Sequence, residues 1–259
     1  MIKLFLTTML AALVFAIPAF AERIVIVHGA FENAKAWNNV AALLKAKGYD
    51  VALVDLPSRD AKGDLKAVNL KAYVDATRAI VDAKADPVFL VGHSFGGFTI
   101  SNTAEADAAR VKKLIYLAAF VPKSGESMQK LSALDKNNKF TQLNFVVAPD
   151  YSYAEVLKMD RGLIFANDAP ADVQAKVADS LLREPLGPIA EPVTLTTEFD
   201  GVAKAFIRTG KDNAVSPTMQ DMMIERSGIK QVVKLDTGHS PFITAPQATA
   251  DAIIQAIGE

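Results

Sequence analysis

The sequence predicts an α/β protein: a mostly parallel sheet of about six strands flanked by helices, with a helical cap inserted over one edge. Three observations predict it. Short runs rich in Val, Ile and Leu recur along the chain, each bounded by Gly, Asp or Pro. Stretches of helical period separate these runs, and one long segment breaks the alternation.

The first strand is expected at Ile24–Val27, followed by a helix over Trp37–Lys47, a strand at Val51–Val54, a helix over Leu70–Lys84 and a strand at Val88–Val91. These runs are apolar nearly throughout rather than at every second residue, as in a strand buried on both faces. A helix over Gly97–Ala106 and a strand at Leu114–Leu117 continue the pattern. The rhythm then fails from about residue 123 to 203, too long a stretch for a plain loop. Helix-like pieces at Tyr153–Met159 and Ala171–Leu182 and the punctuation of Pro149, Pro170, Pro185, Pro188 and Pro192 mark it as a cap over the carboxyl edge of the sheet, where ligands sit in open α/β sheets. Strands at Ala205–Arg208 and Gln231–Leu235, with helices over Pro217–Ser227 and Pro246–Ile257, complete the domain.

The amino terminus reads as an address. Lys3 precedes an uncharged apolar run, Leu4 to Ile17, then Pro18 and the small-x-small sequence Ala19-Phe20-Ala21. A signal peptide over residues 1–21 is expected, leaving Glu22 first and one domain over 22–259, in the periplasm or secreted. The run is shorter than the roughly 20 residues that span a bilayer, and no Cys follows it to carry a lipid.

Composition narrows the chemistry. With no cysteine and only His28, His93 and His239, disulfide scaffolds, thiolate metal sites and cysteine nucleophiles are excluded, and no metal or other cofactor is expected. A net charge of −1 gives no electrostatic reason to bind nucleic acid or an anionic membrane, so the expected partner is a small molecule. The sequence leaves the oligomeric state open.

The strongest local signal is Val88-Phe89-Leu90-Val91-Gly92-His93-Ser94-Phe95-Gly96-Gly97, an apolar strand running into Gly-x-Ser-x-Gly and then a helical pattern. A serine hydroxyl is a weak nucleophile unless a base takes its proton and N–H donors receive the oxyanion. A tight strand-to-helix turn lifts Ser94 clear of the sheet, and glycines at 92 and 96 keep Cβ atoms out of the cramped backbone. An acid and a histidine follow in the required chain order at strand ends: Asp212 in Thr209-Gly210-Lys211-Asp212-Asn213, and His239 in Thr237-Gly238-His239-Ser240. Asp236 and Glu126 are rival acids. Asp236 lies too close to His239 on one loop to orient it easily, and Glu126 requires an acid placed after an earlier strand. The oxyanion donors are expected to be the backbone N–H groups of Phe95 and of Ala30, in the loop Val27-His28-Gly29-Ala30-Phe31. His28 reads as a structural loop residue and His93 as packing or pocket lining.

These residues resemble the α/β-hydrolase superfamily. Val25-Ile26-Val27-His28-Gly29-Ala30 with Trp37, Gly48-Tyr49-Asp50-Val51 leading to Asp55-Leu56-Pro57, and Ala118-Ala119-Phe120-Val121-Pro122 are similar to the branch that holds plant methylesterases, hydroxynitrile lyases and bacterial carboxylesterases. The resemblance implies a nucleophile at Ser94, an acid at Asp212, a base at His239 and oxyanion donors at Ala30 and Phe95. Lyases of the branch carry a lysine after the histidine and an acidic residue before the nucleophile. This chain has Ser240 and His93 there, which argues against cyanide chemistry. The expected activity is therefore hydrolysis of a small, largely apolar carboxylic ester through a serine triad and an acyl-enzyme. Two other readings stay open at this point: a ligand sensor that keeps the pocket but turns over slowly, and cofactor-free perhydrolysis. Phe140, Phe145, Tyr151, Tyr153 and Phe165 in the cap are candidates for pocket lining or for cap core.

Overall fold

A computed structural model describes residues 21–57 and 64–258. The expected signal peptide thus lies, except for Ala21, outside the described residues. Strands form, in chain order, at β1 (Arg23–Val27), β2 (Asp50–Val54), β3 (Val88–His93), β4 (Val111–Leu117), β5 (Phe145–Val147), β6 (Tyr153–Val156), β7 (Glu184–Pro185), β8 (Lys204–Thr209) and β9 (Gln231–Leu235). Six of them make one parallel sheet in the order β2-β1-β3-β4-β8-β9. The expected fold class, with its inserted cap, is what the chain adopts.

Alternate residues of each strand serve opposite faces, and both faces are covered. Val25, Val27, Leu90, Leu114, Tyr116 and Phe206 belong to one core, under the helices Leu70–Val81 and Gly96–Ala106. Ile24, Ile26, Phe89, Val91, Ile115 and Ile207 belong to the other, under Asn38–Ala46 and Pro246–Ile257. Each strand therefore needs apolar residues at consecutive positions, which is why the runs lack polar alternation.

The strand order places the site. From β1 the chain winds outward to β2, and from β3 it winds the other way to β4, so the loops after β1 and β3 part company side by side, at Val27 paired with Gly92. That divergence opens a crevice at the carboxyl edge of the sheet.

Several element boundaries differ from expectation by one to three residues; β4, for one, begins at Val111 rather than Leu114. The second long helix stops at Val81 rather than Lys84, with the Asp82 N–H on the Arg78 carbonyl. More substantially, Tyr153–Met159 is not helical from its start. Tyr153–Val156 is a strand whose Ala154 and Val156 are buried, paired antiparallel to β5 and to β7 in a three-stranded sheet within the cap, and a helix begins only at Lys158. A four-residue segment holds too few positions for period 2 to stand out from period 3.6, and its partner at Glu184 is distant in sequence. Among the described residues no helix is long and apolar enough to cross a membrane.

Candidate active site

Ser94 follows β3 with φ of +52°, a left-handed conformation that non-glycine residues seldom adopt. Its surroundings enforce it. The Ser94 N–H donates to the Leu117 carbonyl at 3.2 Å, and its own carbonyl accepts from Gly97 and Phe120 at 3.1 Å each. A Cβ at Gly92 would come within 2.8 Å of the Gly96 carbonyl oxygen, and one at Gly96 within 2.7 Å of the Val27 oxygen. The glycines are thus required by neighbouring backbone on both sides of the turn.

Asp212, past β8, is buried and saturated with donors. Oδ1 accepts from the Ala214 and Val215 N–H groups at 2.8 and 2.9 Å. Oδ2 accepts from Thr209 Oγ1 at 2.9 Å and Gln220 Nε2 at 3.2 Å, and lies 2.8 Å from His239 Nδ1. His239 is itself buried, and its Nε2 has no hydrogen-bond partner among the described residues. Ser94 and His239 share the wall of one cavity. Burial pulls the His239 pKa down, but the charge and hydrogen bond of Asp212, with Glu32 farther off, outweigh it, so the net shift is upward from 6.5.

The rival acids lie elsewhere. Asp236 is 82% exposed at its side chain and pairs with Lys211 at 2.7 Å. Glu126 is held by Arg226 through two bonds of 2.6 and 2.7 Å and by the Lys123 N–H. His28 accepts the Leu56 N–H on Nε2 at 3.1 Å, so its Nδ1 donates to the Gly29 carbonyl at 2.9 Å, and both ring nitrogens brace the loop after β1. Ala30 in that loop lines the cavity, and neither its N–H nor that of Phe95 is taken by an acceptor among the described residues.

Sequence reasoning missed two buried carboxylates. Glu32 Oε2 accepts the Gly29 N–H at 3.0 Å and lies 3.0 Å from His93 Nδ1; His93 Nε2 donates to the His239 carbonyl at 2.9 Å. Burial raises the Glu32 pKa, while the charge and hydrogen bond of His93, aided by His239 and His28, lower it further, to a net value below 4.5. Glu184, from β7, accepts the Phe31 N–H at 2.8 Å and the Tyr73 hydroxyl at 3.0 Å. Neither carried a local sequence signal, since Glu32 is followed by Asn33 and Lys35 in a stretch that reads as an ordinary polar loop and Glu184 lies in the irregular cap. His93, expected to pack, does so between Trp37 and Phe242, yet it also bonds at both nitrogens.

The cavity has a volume of about 1120 Å³. Phe140, Phe145, Tyr151 and Phe165 of the cap line it, with Phe31 from below. Phe31, Phe140, Phe145 and Phe165 meet edge to face at 5.9 to 6.1 Å, and Phe165 stands edge-on to the His239 ring at 5.7 Å. Tyr153 is not among the lining residues; the Arg183 guanidinium stacks over its ring at 4.3 Å. Among the described residues no group of three or more His, Asp or Glu side chains converges in a metal-sized cluster.

The profile of the alpha/beta hydrolase family matches residues 24–252. A chloroplastic Arabidopsis thaliana protein named as methylesterase 11 is 27% identical over 89% of this chain and 63% of its own length. The chain thus spans about three fifths of that relative. A pyrethroid hydrolase of Sphingobium wenxiniae is 25% identical over 89% of this chain and 85% of its own length. The crystal structure of a pyrethroid hydrolase from Sphingobium faniae superposes with a TM-score of 0.80 at 23% identity, covering 90% of this chain and 96% of that one, a likeness of fold.

Proposed function

This chain belongs to the alpha/beta hydrolase family, and from that premise we propose that it is a carboxylic ester hydrolase working through Ser94, His239 and Asp212. The observation that carries the reading is the split environment of His239. Its Nδ1 is fixed on Asp212 at 2.8 Å, while its Nε2 is buried and unpartnered beside the cavity that Ser94 shares. An imidazole so held has one nitrogen oriented and the other free to take a proton.

Ser94 Oγ attacks the acyl carbon as His239 Nε2 accepts its proton. The resulting imidazolium is stabilised by the Asp212 carboxylate, and the tetrahedral oxyanion lies between the Ala30 and Phe95 N–H groups. His239 then protonates the departing alcohol, and in the second half of the cycle takes a proton from water as it attacks the acyl-enzyme.

The substrate reading is an apolar carboxylic ester. The aromatic lining favours apolar groups, and a volume of about 1120 Å³ exceeds the roughly 300–1,000 Å³ usual for ligand sites, so bulky acyl or alcohol groups fit as well as small ones. The relative named pyrethroid hydrolase supports the bulky end of that range, and the one named methylesterase supports esters more generally. Residues 1–21 act as a cleaved signal peptide, the mature chain from Glu22 is one domain with its cap at about 123–203, and it works in the periplasm or outside the cell.

The test is labelling by a fluorophosphonate probe and turnover of p-nitrophenyl esters of increasing acyl length, with Ser94→Ala beside the parent chain. Only the parent is expected to label, and kcat of the variant is expected to fall by about 10⁴ to 10⁶. Undiminished turnover by a folded Ser94→Ala chain disproves the mechanism.

A further inference from the structure

An oxyanion hole needs N–H donors that are aimed at the reacting oxygen and not already committed. The loop after β1 presents three consecutive amides. The Gly29 N–H is taken by Glu32 at 3.0 Å and the Phe31 N–H by Glu184 at 2.8 Å, whereas that of Ala30, a residue that lines the cavity together with Ser94, has no acceptor among the described residues.

The two carboxylates reach the loop from opposite sides. Glu32 belongs to the floor and is tied through His93 to the backbone of His239. Glu184 belongs to the cap and is fully buried, with its second oxygen on the Tyr73 hydroxyl at 3.0 Å. The same cap segment also takes the other polar group of the loop residue, since the Leu182 N–H donates to the Phe31 carbonyl at 2.7 Å. Phe31 needs such a hold. Its φ of +66° is a left-handed conformation disfavoured for a bulky side chain, and it persists only where the surroundings over-determine it.

We infer that Glu184 is a positioning residue through which the cap completes the oxyanion hole: by holding the Phe31 amide it keeps Phe31 left-handed and so keeps the Ala30 N–H turned into the cavity. The inference rests on the hydrolase reading above. It makes chemistry conditional on a seated cap, because the segment at 182–184, which leads directly into the cavity-lining residues Leu186 and Gly187, is also the clamp on the loop. The work is done by the hydrogen bond, so a glutamine, whose side-chain oxygen accepts equally from Phe31, substitutes for the acid.

The experiment compares Glu184→Leu and Glu184→Gln with the parent chain in steady-state ester hydrolysis, in inhibition by a trifluoromethyl ketone that forms a tetrahedral adduct on serine, and in hydrogen exchange of the segment 28–32. Glu184→Leu is expected to lose about 100-fold in kcat, as for a misplacement of about 1 Å, with KM within about threefold. The ketone is expected to weaken in parallel and exchange in 28–32 to quicken. Glu184→Gln is expected to restore most of kcat. Unchanged kcat or unchanged exchange in the leucine variant, or equal losses in the two variants, overturns the assignment. Should the leucine variant fail to fold, Tyr73→Phe removes the hydroxyl that bonds the carboxylate: a several-fold drop in kcat at constant KM supports the clamp, and no drop overturns it. Turnover that survives Ser94→Ala overturns the hydrolase reading instead, and is told apart because it does not depend on residue 184.

Discussion

Asp212, on the floor of the cavity, has five hydrogen-bonding partners, from Thr209, Ala214, Val215, Gln220 and His239. In the cap, Leu143 and Met159 each leave 84% of their surface open, and every large hydrophobic that is exposed among the described residues lies between 134 and 163. The floor is a hydrogen-bonded device with one geometry; the aromatic part of the roof, Phe140, Phe145 and Phe165, is held by dispersion and edge-to-face ring contacts, which tolerate displacement. Substitutions on the floor, and at the Glu184 clamp, are therefore expected to appear in kcat, and those of the roof's aromatic rings in KM and chain-length preference.

The largest effect after loss of Ser94 itself is expected from Asp212→Asn. The amide turns a donor toward His239 Nδ1 and favours the wrong tautomer, so kcat at neutral pH is expected to fall by about 10⁴ with KM little changed. A loss confined to KM breaks the contrast. Gly96→Ala comes next. Its new Cβ lies 2.7 Å from the Val27 oxygen and 2.8 Å from that of His28, both backbone, so β1 or the turn has to move. The expected cost is about 1–3 kcal/mol of stability by denaturant titration, with a fall in kcat of about 10². Gly201→Ala, in the cap segment, meets nothing within 4 Å and is expected to leave both quantities unchanged.

A smaller effect is expected from pH. His239 must be neutral to accept the serine proton, and its folded pKa is raised above 6.5, so kcat/KM is expected to fall tenfold per unit as pH drops through an apparent pKa above 6.5. Linkage runs the other way for stability. A raised histidine pKa stabilises the fold fully below about 6.5, and that contribution is lost as pH climbs through the folded value, so the proton that silences the base also favours the native state. An acid limb at or below 6.5 places the controlling charge somewhere other than the Asp212 pair.

The same contrast explains what was legible in sequence. Ser94 sits in a local strand-turn-helix signature, and Asp212 and His239 stand in chain order at the ends of β8 and β9, so the proposed triad could be read from linear spacing. Glu32 and Glu184 meet their loop partners only through tertiary structure: His93 lies 61 positions from Glu32, and Phe31 lies 153 from Glu184. Ten-residue windows carry no trace of a bond between a cap strand and the loop after β1. Tyr153–Val156 fails for a related reason, since its strand character comes from pairing with Phe145–Val147 and Glu184 rather than from its own four residues.

The smallest expected effect is the one that sharpens the contrast most. Phe140 lines the cavity and meets the rings of Phe145 and Phe165 edge to face at 6.1 and 5.9 Å, whereas the ring that stands edge-on to His239 is that of Phe165. Phe140→Ala removes ring surface from the roof without altering a hydrogen bond on the floor. Aromatic contacts of this kind are worth about 0.5–1.5 kcal/mol, so KM for a bulky aromatic ester is expected to rise by roughly two- to tenfold, while kcat for p-nitrophenyl acetate, too small to span the cavity, stays within about twofold. Measured across an acyl series, the loss is expected to grow with substrate size and then level off where the acyl group extends beyond Phe140. A uniform fall in kcat across the series means that the roof helps set the floor through more than Glu184, by way of Phe165 and its edge contact with the His239 ring at 5.7 Å.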